Sequence, residues 1–154
     1  MNASVSGKTL TGIRAGILGL LVVGMVGTGT ELLLMGHTED FVQLIPLLLM
    51  GLSLVTLGWY QLGRSAASLQ VFRLLMILSI VSGAIGSLLH YRGNVEFEIE
   101  MTPGLKGFDL FRDAITGATP ALAPGTMVLL GGLGLLFTLG HPRLRPTSTP
   151  PEDT

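Results

Sequence analysis

The chain has 154 residues, 48% of them hydrophobic and only 12% charged, where a soluble domain carries about 25% charge. Its formal net charge of −1 excludes a nucleic-acid-binding domain, which needs a basic footprint. The absence of cysteine excludes a disulfide framework, a thiolate metal site, an iron–sulfur cluster or a thiol nucleophile. Apolar residues cluster in runs of about twenty, which makes lipid the expected solvent and rules out an ordinary soluble enzyme.

Four such runs follow one another: Ile13 to Gly36, Phe41 to Leu62, Leu69 to Tyr91 and Ala121 to Gly140. At 1.5 Å per residue each covers a hydrocarbon core of about 30 Å. The sequence therefore predicts an all-α integral membrane protein, a bundle of four transmembrane helices over residues 1–141. Lys8 and Arg14 before an apolar stretch, followed by Gly27-Thr28-Gly29, resemble a signal peptide with a small-residue cleavage site. The apolar pattern resumes at Leu32 to Met35, which favours a retained helix. Asp40 is placed to cap the second span, and Pro46 to kink it or mark its first turn. Trp59 and Tyr60 suit the membrane interface. Thr119-Pro120 reads as cap and first position of the fourth span, which His141-Pro142 ends.

Between the third and fourth spans lies a loop, 92–119. Within it Val95 to Met101 alternates apolar residues with Glu96, Glu98 and Glu100, the pattern of a strand with three carboxylates on one face. Pro103-Gly104 predicts a turn. Phe108, Phe111 and Ile115 recur at helical spacing opposite Asp109, Arg112 and Asp113, a short amphipathic helix ended by Gly117. Strand and helix together are expected to form a lid over the outer helix ends. Residues 142–154, rich in proline and threonine, are expected to be a disordered tail.

Lysine and arginine set the expected orientation. Lys8, Arg14, Arg64, Arg73, Arg143 and Arg145 fall on one side, joined only by the acids Glu152 and Asp153. Arg92, Lys106 and Arg112 fall on the other, among Glu31, Glu39, Asp40, Glu96, Glu98, Glu100, Asp109 and Asp113. Both termini are then cytoplasmic and loop 92–119 lies outside. The compact loops and the lack of a transit peptide lean toward a bacterial inner membrane.

Two helix faces carry small residues. Ser79, Ser82, Gly83, Gly86 and Ser87 share a face of the third span with His90, and Gly24, Gly27 and Thr28 share one of the first with Glu31. Such stripes let helices approach closely in lipid. Gly12 and Gly16 add a weak dimerisation signal. Glu31 falls inside the apolar run, where a charge must be protonated, paired or solvated. With His37, His90 and Arg92 it forms a candidate ligand or proton site. His37, His90, Glu31 and Glu96 form a weaker candidate metal site, since imidazole and carboxylate suit zinc, copper, nickel or non-haem iron. Haem is disfavoured because both histidines are terminal. The plain alternatives are a solvated turn for His37, an interfacial carbonyl partner for His90, a register-fixing bond for Glu31, a solvated face for the three glutamates and a helix-dipole contact for His141.

No H-E-x-x-H, P-loop or G-x-S-x-G is present. The cofactor is unknown. The expected partners are the bilayer and either further copies of the chain or a larger membrane complex. The leading expectation is a structural or accessory subunit. An outward-facing binding or transport protein centred on Glu31 and His90 comes second, and an integral membrane enzyme using the same cluster third.

Overall fold

A computed structural model of the chain describes residues 2–117 and 119–144. Five α-helices follow in order: α1 (Asn2–Leu34), α2 (Phe41–Gly63), α3 (Ala66–Met101), α4 (Gly107–Ile115) and α5 (Gly125–Thr138), then a 3₁₀ turn at Pro142–Leu144. Within α1, α2 and α3 the segments Gly7–Leu34, Phe41–Gly63 and Ala66–Met101 are long and apolar enough to cross a membrane. Their apolar side chains face outward as well as inward: Val23 is 71% exposed, Val55 69% and Leu62 92%. Such a surface is unstable in water and natural in lipid. Three long apolar helices of this kind support an integral membrane protein.

The helix ends are set by local chemistry. Gly36, at φ +68°, ends α1: His37 N–H donates to Leu32 O at 2.9 Å and Gly36 N–H to Leu33 O at 3.1 Å. This is a Schellman cap, whose left-handed residue glycine adopts without strain. Asp40 precedes α2 but makes no side-chain cap hydrogen bond, and Pro46 lies inside that helix. Ser65 caps α3, accepting from Ser68 N–H at 3.1 Å.

Two expectations are corrected. The segment Val95 to Met101 is not a strand but the last two turns of α3. A lone strand would leave its backbone groups without a ladder. Extending an existing helix costs no new nucleus, and nothing breaks α3 between Gly93 and Pro103. Alternation over seven residues was too short a signal to outweigh that continuity. The three glutamates consequently do not share one face. The fourth apolar run also yields less helix than expected. Residues 121–124 form a turn, and α5 keeps 14 residues, about 21 Å by helical rise. Pro120 and Pro124 hold its start in the turn, and Gly140 at φ +59° turns the chain away after it. Of the expected tail, Pro142–Leu144 is a 3₁₀ turn whose Leu144 packs against the core; residues 145–154 lie outside the described residues.

Helix α5 packs antiparallel to α3 and to α1. A Cβ on Gly83 would meet Pro124 O at 2.7 Å and Val128 N at 2.9 Å; one on Gly131 would meet Met76 O at 2.6 Å. Gly86 faces the Pro124 ring, and Gly24 of α1 faces Leu130. Ser79 is buried and donates to Leu75 O at 2.9 Å. Ser82, Ser87 and Thr28 are half-buried, while Gly27 borders open space. Between the helices lies a core of Leu21, Met25, Met50, Leu69, Phe72, Met76, Met127 and Phe137. Its methionines adapt to the irregular gaps left beside glycine faces.

Candidate functional site

Polar groups collect at the two ends of the bundle. At the first end are the residues singled out by the sequence. Glu31 lies in the last turn of α1 and is exposed. His37 is half-buried just past the Gly36 cap. His90 is half-buried on α3, and its Nδ1 is buried with no hydrogen-bond partner. The two imidazoles are near enough to interact electrostatically. Arg92 and Glu96 are exposed on the continuation of α3. The two histidines thus lie at the same end of the bundle. Among the described residues, no three histidine or carboxylate groups come together as a metal site.

Above them α3 runs on as a helical mast, with α4 packed against it. Asn94, 2% exposed, is the fastening. Its amide N–H groups donate to Ala114 O at 2.8 Å and Thr119 O at 2.6 Å. Its Oδ1 accepts from Thr119 N–H at 3.2 Å and Thr119 Oγ1 at 2.5 Å. Ala114 is fully buried at the same contact, and Gly117 passes so close that a Cβ there would lie 3.0 Å from Asn94. Tyr91 and Phe111 meet with ring centres 6.1 Å apart. Phe108, on the outer side of α4, remains 75% exposed. Sequence reasoning missed Asn94, an uncharged polar residue between Gly93 and Val95 that no local pattern marks out.

At the opposite end α1, α2 and α5 meet around His141. Arg14 Nη2 donates to Leu139 O and Gly140 O, both at 3.0 Å, covering carbonyls left open at the end of α5. Tyr60, 7% exposed, places its Oη 3.1 Å from His141 Nε2. Arg143 N–H donates to His141 Nδ1 at 3.2 Å. With Nδ1 accepting, the proton of the neutral ring sits on Nε2, which donates to the Tyr60 oxygen. Burial, followed by the guanidinium charges of Arg14 and Arg143, holds the imidazole below its ordinary value. The Tyr60 and Phe137 rings stand edge-on, 6.3 Å apart, beneath it. His141 is therefore a packed, oriented group, not only a dipole contact, and Tyr60 is its buried partner.

The chain matches no protein-family model, no curated protein and no solved structure. Its chemistry has to be read from these two ends. The first offers two half-buried imidazoles beneath a fastened helical platform. The second offers a neutral imidazole, a phenol and the two nearby guanidinium groups of Arg14 and Arg143.

Proposed function

We propose that this chain is a small multi-pass membrane protein with a structural or accessory role, associating through its helices and through the acidic platform made by the end of α3 and α4. The observation that carries this reading is the Asn94 fastening. Four hydrogen bonds to a buried side chain hold an extramembrane helix at a fixed place on the mast. A fixed surface with an exposed aromatic residue at its edge suits a standing protein contact. In this reading α5, with its flanking turns, makes the fourth crossing. Both termini face the cytoplasm of a bacterial inner membrane, and the platform stands outside.

The test is native mass spectrometry of the gently solubilised complex. A stable assembly that contains further chains, and that dissociates when Phe108→Asp is introduced on the platform, is the expected result. A monomer that is unchanged by the substitution overturns the reading.

A second reading is favoured by one observation, the buried and unpartnered Nδ1 of His90. It makes the first end an outward-facing site for a metal ion, proton or small ligand, centred on Glu31 and His90. Binding that is lost in His90→Ala with assembly intact would select this reading over the accessory role.

A further inference from the structure

The basic end of the bundle is the feature that neither reading uses. Lys8 and Arg14 of α1, Arg64 at the end of α2, Arg73 of α3 and Arg143 of the 3₁₀ turn gather there, and every acid among the described residues belongs to the other end. Arg14 is committed to the end of α5. Arg73 and Arg143 are exposed, and among the described residues the ion pair formed is Arg112–Asp113, at the far end. Arg73 lines a cleft of about 360 Å³ with Leu135, Leu139, His141 and Leu144. The cleft thus brings one guanidinium group together with the aliphatic side chains of Leu135, Leu139 and Leu144.

We propose that this cleft binds an anionic glycerophospholipid, its phosphate held by Arg73 of the cleft and by Arg143 of the adjoining 3₁₀ turn, with an acyl chain laid along Leu135 and Leu139. Charge complementarity selects an anion, since uncompensated guanidinium groups bind phosphate oxygens strongly. The leucines in the lining select a lipid over a soluble anion. Leu139 is 71% exposed and Leu136, one turn away on the outer face of α5, is 53% exposed, so the cleft opens onto the apolar flank of the bundle. Trp59, an interfacial residue type, lies on α2 at the same end. A basic pocket between helices at headgroup level is the expected place for an anionic headgroup.

The probes are phosphatidylglycerol and phosphatidylcholine with identical chains, added to the delipidated full-length protein in detergent and followed by native mass spectrometry. Phosphatidylglycerol is expected to bind and phosphatidylcholine to be lost. The double substitution Arg73→Gln, Arg143→Gln is expected to weaken phosphatidylglycerol binding roughly thirtyfold. Both side chains are exposed, so the fold should persist, and unchanged helical circular dichroism verifies it. Arg112→Gln at the other end should leave binding unaltered. Equal retention of the two lipids, or equal binding by the double variant, overturns the proposal. Displacement of the lipid by equimolar inorganic phosphate overturns it in favour of a simple anion site. Binding that emerges only when residues 145–154 are removed overturns it in favour of the chain's own Glu152 and Asp153 as occupants.

Discussion

Asn94 and Thr119 are joined by three hydrogen bonds across 25 residues of chain: the Asn94 amide donates to the Thr119 carbonyl, and its oxygen accepts from both the N–H and the hydroxyl of Thr119. The same amide reaches Ala114 O. One buried side chain thus holds both the end of α4 and the entry to the turn before α5. Asn94→Leu keeps the branched shape with the same number of side-chain heavy atoms and deletes every bond. It should cost about 2–4 kcal/mol, because a buried unsatisfied donor or acceptor costs about 1–3 kcal/mol and several are created at once. Thermal unfolding in detergent reads the loss. Limited proteolysis should show new cleavage near Lys106 or Arg112, and an unchanged digest with an unchanged melting temperature would count against the fastening.

The glycines at the α3–α5 contact make a second prediction, with its own control. At Gly83 and Gly131 the atoms a new Cβ would strike include backbone, Pro124 O and Met76 O. Backbone cannot swing aside as a side chain does, so the helices themselves must part. Gly83→Ala and Gly131→Ala should each destabilise by about 1–3 kcal/mol. Gly27 borders open space, and Gly27→Ala should be neutral or stabilising by up to about 1 kcal/mol through helix propensity. Unfolding in detergent distinguishes the three. A common effect at all positions would mean that propensity, not close approach, governs these glycines.

The long apolar helices were legible in the sequence because a run of about twenty apolar residues has few other stable states. The turn at Pro103-Gly104 and the amphipathic helix after it are likewise local: Leu105 N–H donates to Thr102 O at 3.1 Å, and Gly104 takes φ +95°. What misled was a short pattern judged without its context. Val95 to Met101 reads as a strand by itself, yet it continues a helix that nothing interrupts. Residues paired over long separations were illegible for a different reason. Tyr60 and His141 are 81 positions apart, and Asn94 and Thr119 are 25. No local period marks one as the partner of the other. Glu31, conspicuous as a charge in an apolar run, is exposed near the end of its helix. The less conspicuous Tyr60 and Asn94 are buried.

His141 makes stability depend on pH. The folded protein holds this imidazole below its ordinary value of 6.5 through burial and the charges of Arg14 and Arg143. Arg73 lines the same cleft as His141. The unfolded chain therefore binds the proton more readily. The contribution is fully present above about pH 7 and is lost as pH falls through 6.5 toward the lower folded value. Protonation also turns Nδ1 from acceptor to donor, so it opposes the N–H of Arg143. The melting temperature should be flat above pH 7 and fall on acidification. In His141→Gln the fall should be smaller. Parallel profiles for the two proteins would show that His141 does not titrate with folding.

Orientation can be read directly, because the chain has no cysteine to interfere. Thr102 and Ala66 are both exposed, at opposite ends of α3, a separation of about 54 Å by helical rise. Neither is a buried contact, and Ala66 spares the Ser65 cap. Arginine and lysine without acidic neighbours are retained on the cytoplasmic side of a membrane, and the Ala66 end is the one that carries them. In intact cells a membrane-impermeant maleimide should label Thr102→Cys and leave Ala66→Cys unmodified until the membrane is opened. Labelling of Ala66→Cys alone would invert the protein, placing the guanidinium cleft outside and the Asn94 platform in the cytoplasm. Labelling of both in intact cells, with the membrane verified as sealed, would mean that α3 does not cross.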